Sequence, residues 1–359
     1  QRGLGASKLA ISSVGGTINV LTKSTELTKG GKIAATVGND GYMKTVMSYN
    51  TGEMENGSAL SFLFSRVEGD GYVNGTSFEG YNYFLGYGWE SDDDKHNVQV
   101  IVTGAPQTHN QRTGSYFNMA TAGDYQKYGI RYNYNHGYLN GQEFNWRRNF
   151  YHKPIASVNW EYEINSTTNL SASAYYSVGR GGGTGDIGRL GGNYASSSRF
   201  RNDITGEVEW DQIVNSNSGI GGNWSGGYSY KNHLDSATGL YIVNDDGETV
   251  DGVKRNGFVR RASVNSHNFV GTLINLKKEL SDKLTLDFGV DLRNYRGIHY
   301  RRLDHLLGAD GYRDFDNVNY SGGSAVRTTT YSSNLGELWN VFRDTDDEEK
   351  IDYHNDGFV

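Results

Sequence analysis

Between Leu284 and Tyr295 the chain reads LTLDFGVDLRNY. Leu284, Leu286, Phe288, Val290 and Leu292 alternate with Thr285, Asp287, Gly289, Asp291 and Arg293. Successive side chains of a strand point to opposite faces, so as a strand this segment has one apolar face and one charged face. In a soluble sandwich the charged face would meet bulk water. In a membrane barrel the apolar face would meet lipid and the charged face a watery lumen.

The same alternation recurs along the chain. It predicts strands at Lys32–Gly38, Tyr42–Thr51, Ser58–Val67, Tyr81–Glu90, His96–Gly104, Lys153–Ile164, Asn169–Val178 and His267–Glu279, with Leu284–Tyr295 the ninth. Asn39-Asp40-Gly41 is a strong hairpin signal between the first two. The connections separate two architectures. Those after the second, fourth, sixth and eighth strands are short: Gly52–Gly57, Ser91–Lys95, Asn165–Thr168 and Leu280–Lys283. Those after the third, fifth, seventh and ninth are long: Glu68–Gly80, Ala105–His152, Gly179–Ser266 and Arg296 onward. Short turns at one rim and long loops at the other mark an outer-membrane barrel. A soluble sandwich has no reason to keep that parity, and structureless loops this long are uncommon in a compact domain. The expected fold is all-β: an antiparallel transmembrane barrel wall of about nine strands. Tyr81, Trp89, Trp160, Tyr162, Tyr176 and Tyr295 near strand ends suit a membrane–water boundary.

Composition agrees. Hydrophobic content is only 36%, yet aromatics reach 13%, and no run approaches the roughly 18 apolar residues of a spanning helix. A membrane barrel needs only half-apolar strands. There is no cysteine, so no disulfide framework or thiol chemistry is expected. A net charge of −7 argues against a general nucleic-acid partner. No basic segment followed by an apolar one opens the chain, which reads as a mature or partial product.

Motifs for catalysis or metals are weak. The 9 histidines are scattered without His-Glu-x-x-His spacing, and no Gly-x-Ser-x-Gly elbow nominates a nucleophile. The chain therefore reads as a non-enzyme, with no cofactor and no metal. Asp344–Glu349 offers hard oxygens for calcium but lacks the glycine of an EF-hand loop, and reads as a solvated acidic tip. Gly179–Gly185 lacks the Gly-Lys-Ser/Thr ending of a phosphate cradle and reads as a flexible loop. Thr205–Ser216 spaces Trp210, Ile213 and Val214 as a short helix within a loop. Glu161, Glu163, Asp287, Asp291 and Arg293 read as lumen-lining. Candidate solute contacts are loop aromatics and arginines, namely Tyr128, Tyr132, Tyr134, Trp146, Arg147, Arg148, Trp224 and Tyr228. Aromatic faces stack on sugars or planar chelates, and arginines pair with carboxylates.

Near the start of the chain lie Arg2-Gly3-Leu4-Gly5 and Val14-Gly15-Gly16-Thr17-Ile18-Asn19-Val20. This combination resembles the closing segment of the plug domain in TonB-dependent outer-membrane receptors, where a Gly-Gly-x-Ile-Asn strand leads into the barrel. The long Gly/Asn/Tyr-rich loops look similar to Bacteroidetes members. The resemblance implies a plug end over 1–30, carrying Arg2, Gly3, Gly15, Gly16, Ile18 and Asn19, and the N-terminal part of the barrel with its extracellular loops over 31–359. It implies active uptake of a scarce solute (siderophore, vitamin, glycan or peptide) across the bacterial outer membrane. Implied partners are the TonB–ExbB–ExbD complex, the solute, outer-membrane lipid and lipopolysaccharide, and a surface lipoprotein as lid. The alternative is a passive porin or an adhesive barrel.

Overall fold

In the computed structural model the described residues are 23–112, 120–244, 249–250, 253–254, 257–315, 325–339 and 350–354. The Gly-Gly segment with Arg2, Gly3, Gly15, Gly16, Ile18 and Asn19, and the acidic run Asp344–Glu349, lie outside them. No described helix is long and apolar enough to cross a membrane. Nine long strands follow one another in space as in sequence: β1 (Gly30–Val37), β2 (Met43–Asn50), β3 (Ser58–Gly69), β4 (Phe78–Glu90), β5 (His96–Gly104), β6 (Ile155–Asn165), β7 (Thr168–Arg189), β8 (Gly257–Ser281) and β9 (Leu284–His305). Every neighbouring pair is antiparallel. β1 and β2 turn through Asp40 and Gly41, both at positive φ, where Gly38 N–H donates to the Tyr42 carbonyl at 2.9 Å. This is the tight hairpin geometry that suits a right-twisted ribbon.

The register gathers apolar side chains onto one face. One row runs Tyr49–Phe62–Leu85–Val102–Ala156–Tyr176–Val270, and the next Leu60–Tyr87–Val100–Val158–Ala174–Thr272–Leu292. The opposite face carries the row Ala59–Gly88–Gln99–Asn159–Ser173–Leu273–Asp291. Phe288 is 62% exposed and Leu292 63%. A continuous exposed apolar band of this width is foreign to a water-soluble surface and is what a lipid-facing wall presents.

Three strands run much further than alternation alone predicted. β7 and β9 have 22 residues each and β8 has 25. At ~3.3 Å per residue, 22 residues reach roughly 73 Å, whereas about 9–11 tilted residues suffice to cross a bilayer. These strands project well past the wall. The run Gly179–Gly185 is therefore strand and not flexible loop, paired with β8 throughout and with Arg148–His152 in part. Its glycines admit close neighbours. A Cβ on Gly182 would sit 2.2 Å from the Ser263 carbonyl oxygen and 2.7 Å from the Phe150 ring.

The expected loop Ala105–His152 is also shorter than alternation indicated. Strand Gln107–Asn110 continues β5, and strand Arg148–His152 leads into β6. The register carries across unchanged, with Thr103 opposite Ile155 and Gln107 opposite Tyr151. The interruption holds the chain's two prolines, Pro106 and Pro154, which have no N–H to give a ladder. Their carbonyls still accept, from Tyr81 N–H at 2.8 Å and Ser177 Oγ at 2.8 Å.

The sheet does not close on itself among the described residues. β1 pairs only with β2, and β9 pairs beyond β8 only with Ile351–His354, at His299 and Arg301. Leu284–Tyr295 thus keeps an open edge among the described residues. Beyond the apolar band both faces of the long strands are covered. One side carries a core around Trp210, Phe200, Phe258 and Leu307, together with a second around Phe150, Val264, Tyr300 and Leu338. The other side carries a core around Ile187, Val259, Leu303 and Tyr312.

The two faces of β9 are expected to respond differently to charge. Phe288→Arg should cost about 2–4 kcal/mol if near the bilayer midplane, and Asp287→Arg much less. Folding yields of the two variants in bilayers measure this, and equal yields would remove the lipid assignment.

Candidate functional site

The polar face is where the described chain begins. Lys23 reaches Glu161 at 3.4 Å and Glu26 at 3.5 Å. Ser24 N–H donates to Gln99 Oε1 at 3.1 Å, and Thr25 Oγ1 to Glu90 Oε1 at 2.7 Å. Asn97 donates to the same Glu90 oxygen. Ser24 and Thr25 are buried against the wall. They fit because β4 presents glycines to this face. A Cβ on Gly86 would lie 2.6 Å from Ser24 Oγ, and one on Gly88 3.0 Å from Thr25 Cγ2. Larger residues at either position would push the segment off. Beside this seat opens a cavity of about 520 Å³ lined by Lys23, Glu26, Glu90, Glu161, Glu163 and Lys277.

The residues read as lumen-lining share this face. Glu161 and Glu163 flank the cavity, and Glu163 stands opposite Asn169, itself opposite Lys277 and then Asp287. Asp287 accepts from Asn275 Nδ2 at 2.7 Å. Asp291 and Arg293 pair with each other, Arg293 Nε donating at 2.9 Å and 3.1 Å to the two carboxylate oxygens.

The loop residues read as solute contacts are placed differently. Trp146 and Trp224 are 2% and 3% exposed and belong to the core that packs on Trp210 and Phe200. Tyr132 is also buried, its hydroxyl donating to the Gly206 carbonyl at 3.0 Å, and burial pushes it up to about 12. These three rings are packing elements, which corrects the expectation that they offer stacking faces to a solute. In this core the large rings Trp146, Phe200, Trp210, Trp224 and Phe258 pack together with Leu139, Leu190, Val208, Ile213 and Leu307. Tyr128 lies tilted against Tyr132 at 4.8 Å, and Tyr134 lies under Arg201 at 3.5 Å. Arg147 covers Trp146 at 4.6 Å. Arg148 donates through Nε to Asn110 Oδ1 at 3.1 Å, and burial lowers its pKa. Tyr228 remains exposed, beneath Arg199 at 4.8 Å.

Two elements of the outer layer were partly legible. The expected helix forms as Trp210–Asn217, with Trp210 and Ile213 buried. A capped helix at Ala122–Tyr128, with Thr121 and Asp124 bonded reciprocally, was missed. Its signal was present as Thr-x-x-Asp. Sequence reasoning also missed the buried pair Arg260–Asp304. Arg260 Nε donates to Asp304 Oδ2 at 2.6 Å and Nη1 to the Asn145 carbonyl at 2.8 Å, over the Phe144 ring at 4.2 Å. Ser333 Oγ also donates to Asp304. In sequence these are ordinary charged residues in a strand, and only the fold places them in a dry layer. Asn217 Nδ2 similarly joins the Phe258 and Leu307 carbonyls at 2.8 Å each, tying helix to strands.

No family model and no curated protein matches this chain. Solved structures do match. One is titled as the copper transporter OprC: TM-score 0.44 and 10% identity over 84% of this chain and 33% of that one. The ferric-catecholate import receptor Fiu from K12 E. coli matches with TM-score 0.46 and 12% identity, over 86% of this chain and 38% of its own. The siderophore receptor PiuA from Acinetobacter baumannii matches with TM-score 0.40 and 11% identity, over 84% and 51%. The chain spans between a third and about half of their length. At these identities and scores no residue role and no solute transfers from them.

Removing one member of the buried pair leaves the other charge dry, so Asp304→Ala should destabilise the outer layer by about 3–5 kcal/mol. Denaturant titration followed by hydrogen exchange over 257–261 measures this, and a change below about 1 kcal/mol would contradict it. His136 is buried and its pKa is lowered, chiefly by burial, with Glu143 at 3.7 Å opposing. A histidine depressed in the folded state adds stability above its unfolded value of about 6.5, lost as pH falls through the folded value. Protection of the 136–145 amides, expressed against their intrinsic exchange rate at each pH, should therefore fall on acidification to pH 5, and less so in His136→Gln. Identical acid responses would contradict this assignment.

Proposed function

We propose that this chain forms part of a TonB-dependent transporter that takes up a solute across the bacterial outer membrane. The observation that carries the reading is the seat of residues 23–25 on the polar face of the wall, over Gly86 and Gly88. Residues 23–25 bring the chain to β1 from the polar face. An element filling the lumen must connect from that side. A pore open to passive flow has no use for it.

In this reading the wall supplies a lipid-facing band and a hydrated inner surface. Glu161, Glu163, Asp287, Asp291 and Arg293 line the inner surface. The layer beyond the bilayer meets the solute first. Its exposed rings, Tyr228 among them, and a cleft of about 390 Å³ at Phe78, Gln107, His109 and Asn110 are available for that contact. The solute class is a siderophore, vitamin, glycan or peptide. Energy arrives through the TonB–ExbB–ExbD complex, and a surface lipoprotein is a candidate lid.

The test is growth of a strain lacking this protein on single iron or glycan sources, with and without TonB. Loss of growth on one source in the deletion strain, reproduced by removing TonB alone, is the expected outcome. Growth that depends on this protein but not on TonB would replace the reading with a passive porin.

A further inference from the structure

The polar face of β4 changes character along its length. At Gly86 and Gly88 it seats residues 23–25. Gly80 lies six residues before Gly86, or roughly 20 Å at ~3.3 Å per residue, toward the outer end of the strand. Phe78 and Gly80 are spaced by two from Gly86 and Gly88, so they keep to the same face. The register sets Val67 and Gln107 on either side of Gly80, and His109 opposite Phe78. These residues line the cleft of about 390 Å³, a volume within the ~300–1,000 Å³ of small-molecule sites.

Gly80 is the floor of the cleft. A Cβ there would stand 3.4 Å from Gln107 Cβ and 3.7 Å from Val67 Cγ1, in ordinary contact. Alanine would therefore fit, and a larger side chain would fill the space. Phe78 is held on one side by Gly69, where a Cβ would come within 2.8 Å of its ring, and by Tyr42 at 6.4 Å. The lining carries no charge into the cleft. Glu79, between Phe78 and Gly80, turns its carboxylate to the other face, where it pairs with Arg66 at 2.8 Å. Lys44, opposite Val67, flanks the cleft without lining it. Two polar side chains of the lining are committed elsewhere. Asn110 Oδ1 accepts from Arg148 Nε at 3.1 Å, and Thr76 Oγ1 donates to the Val73 carbonyl at 2.6 Å. The His109 imidazole and the Gln107 carboxamide have no hydrogen-bond partner among the described residues. Burial lowers the pKa of His109, so near neutral pH its ring offers one N–H and one acceptor nitrogen.

We infer that this cleft binds an uncharged aromatic ring bearing a hydroxyl, with the ring between Phe78 and Val67 above Gly80 and the hydroxyl on His109 and Gln107. The inference rests on the uptake reading and narrows the solute to one that carries a phenol-type group. The match is between polar and apolar parts. A phenol has one hydroxyl, which donates to the imidazole nitrogen and accepts from the carboxamide. Its flat ring meets the Phe78 ring and the Val67 methyl groups. A sugar carries hydroxyls all round its ring, and those against Val67 and Phe78 would lose water without gaining a partner. A carboxylate or phosphate would find no cation in the lining.

The test is fluorine NMR on the full chain in detergent, titrated separately with para-fluorophenol, fluorodeoxyglucose and trifluoroacetate. Two variants remove the site in different ways. His109→Leu deletes both ring nitrogens, and Gly80→Val fills the floor. Tyr228→Ala is the control outside the cleft. Circular dichroism checks that each variant keeps its sheet, and Gly80→Ala replaces Gly80→Val if the latter does not fold. The expected result is saturable broadening of the fluorophenol signal, unchanged in Tyr228→Ala, several-fold weaker in His109→Leu and abolished in Gly80→Val, or reduced in Gly80→Ala. The other two probes should show none. Fluorophenol broadening equal in the native chain and in both cleft variants reports partition into micelles and overturns the site. Broadening of fluorodeoxyglucose or trifluoroacetate that Gly80→Val removes, without that of fluorophenol, overturns the ligand class. TonB-dependent growth without fluorophenol binding removes this inference alone. Fluorophenol binding without TonB-dependent growth keeps the site and removes the transporter reading.

Discussion

A chain that meets hydrocarbon cannot leave N–H and C=O groups unpaired, because each costs several kcal/mol where no water can reach it. The wall answers this with an antiparallel ladder between every neighbouring pair from β1 to β9. The two prolines show how strictly the rule is kept. Both sit in the one interruption of that strand pair, the register passes through them unchanged, and both carbonyls are still used. A break that removes two donors is confined to the place where the strands leave the band and begin the outer layer.

That layer follows different rules. Around the projecting ends of β7, β8 and β9 the solvent is water, and both faces must be covered by protein. Apolar cores form on each side, the largest mixing tryptophan and phenylalanine with leucine, isoleucine and valine, and the one around Ile187, Val259 and Leu303 being mainly aliphatic. Into them go charged and amide groups that are fully engaged, such as Arg260 with Asp304 and Asn217 with two carbonyls. A buried pair of this kind adds little net stability against an apolar alternative, but it is intolerant of losing one partner. It fixes which strand ends meet.

The two faces of the wall also receive different segments of the described chain. Residues 23–25 rest on the polar face in a groove opened by Gly86 and Gly88, while Leu335–Trp339 rests on the apolar face over Phe150 and Tyr83. The first contact is made of hydrogen bonds and an ion pair, and the second of rings and leucines. Each is matched to the surface it covers, as lumen and lipid would require.

Alternation determined the wall: a period of two is a local property, and it placed nine strands, their order and their two faces from Ile33 to Leu292. The parity of short and long connections came with it, since turn length is written in the residues between strands. What alternation could not give is where the strands end. Past Val178 and before His267 both faces are buried by other segments, so the period dissolves into glycine, serine and aromatics, and extended chain looks like loop. For the same reason Trp146 and Trp224 were indistinguishable from exposed stacking rings, since a tryptophan in a Gly-rich loop has the same sequence whether it meets a solute or a core. Only the tertiary structure, by bringing Phe200, Trp210 and Phe258 around them, decided that they are packed. It alone set Arg260 against Asp304, and Trp339 over Tyr83, across separations that no local pattern encodes.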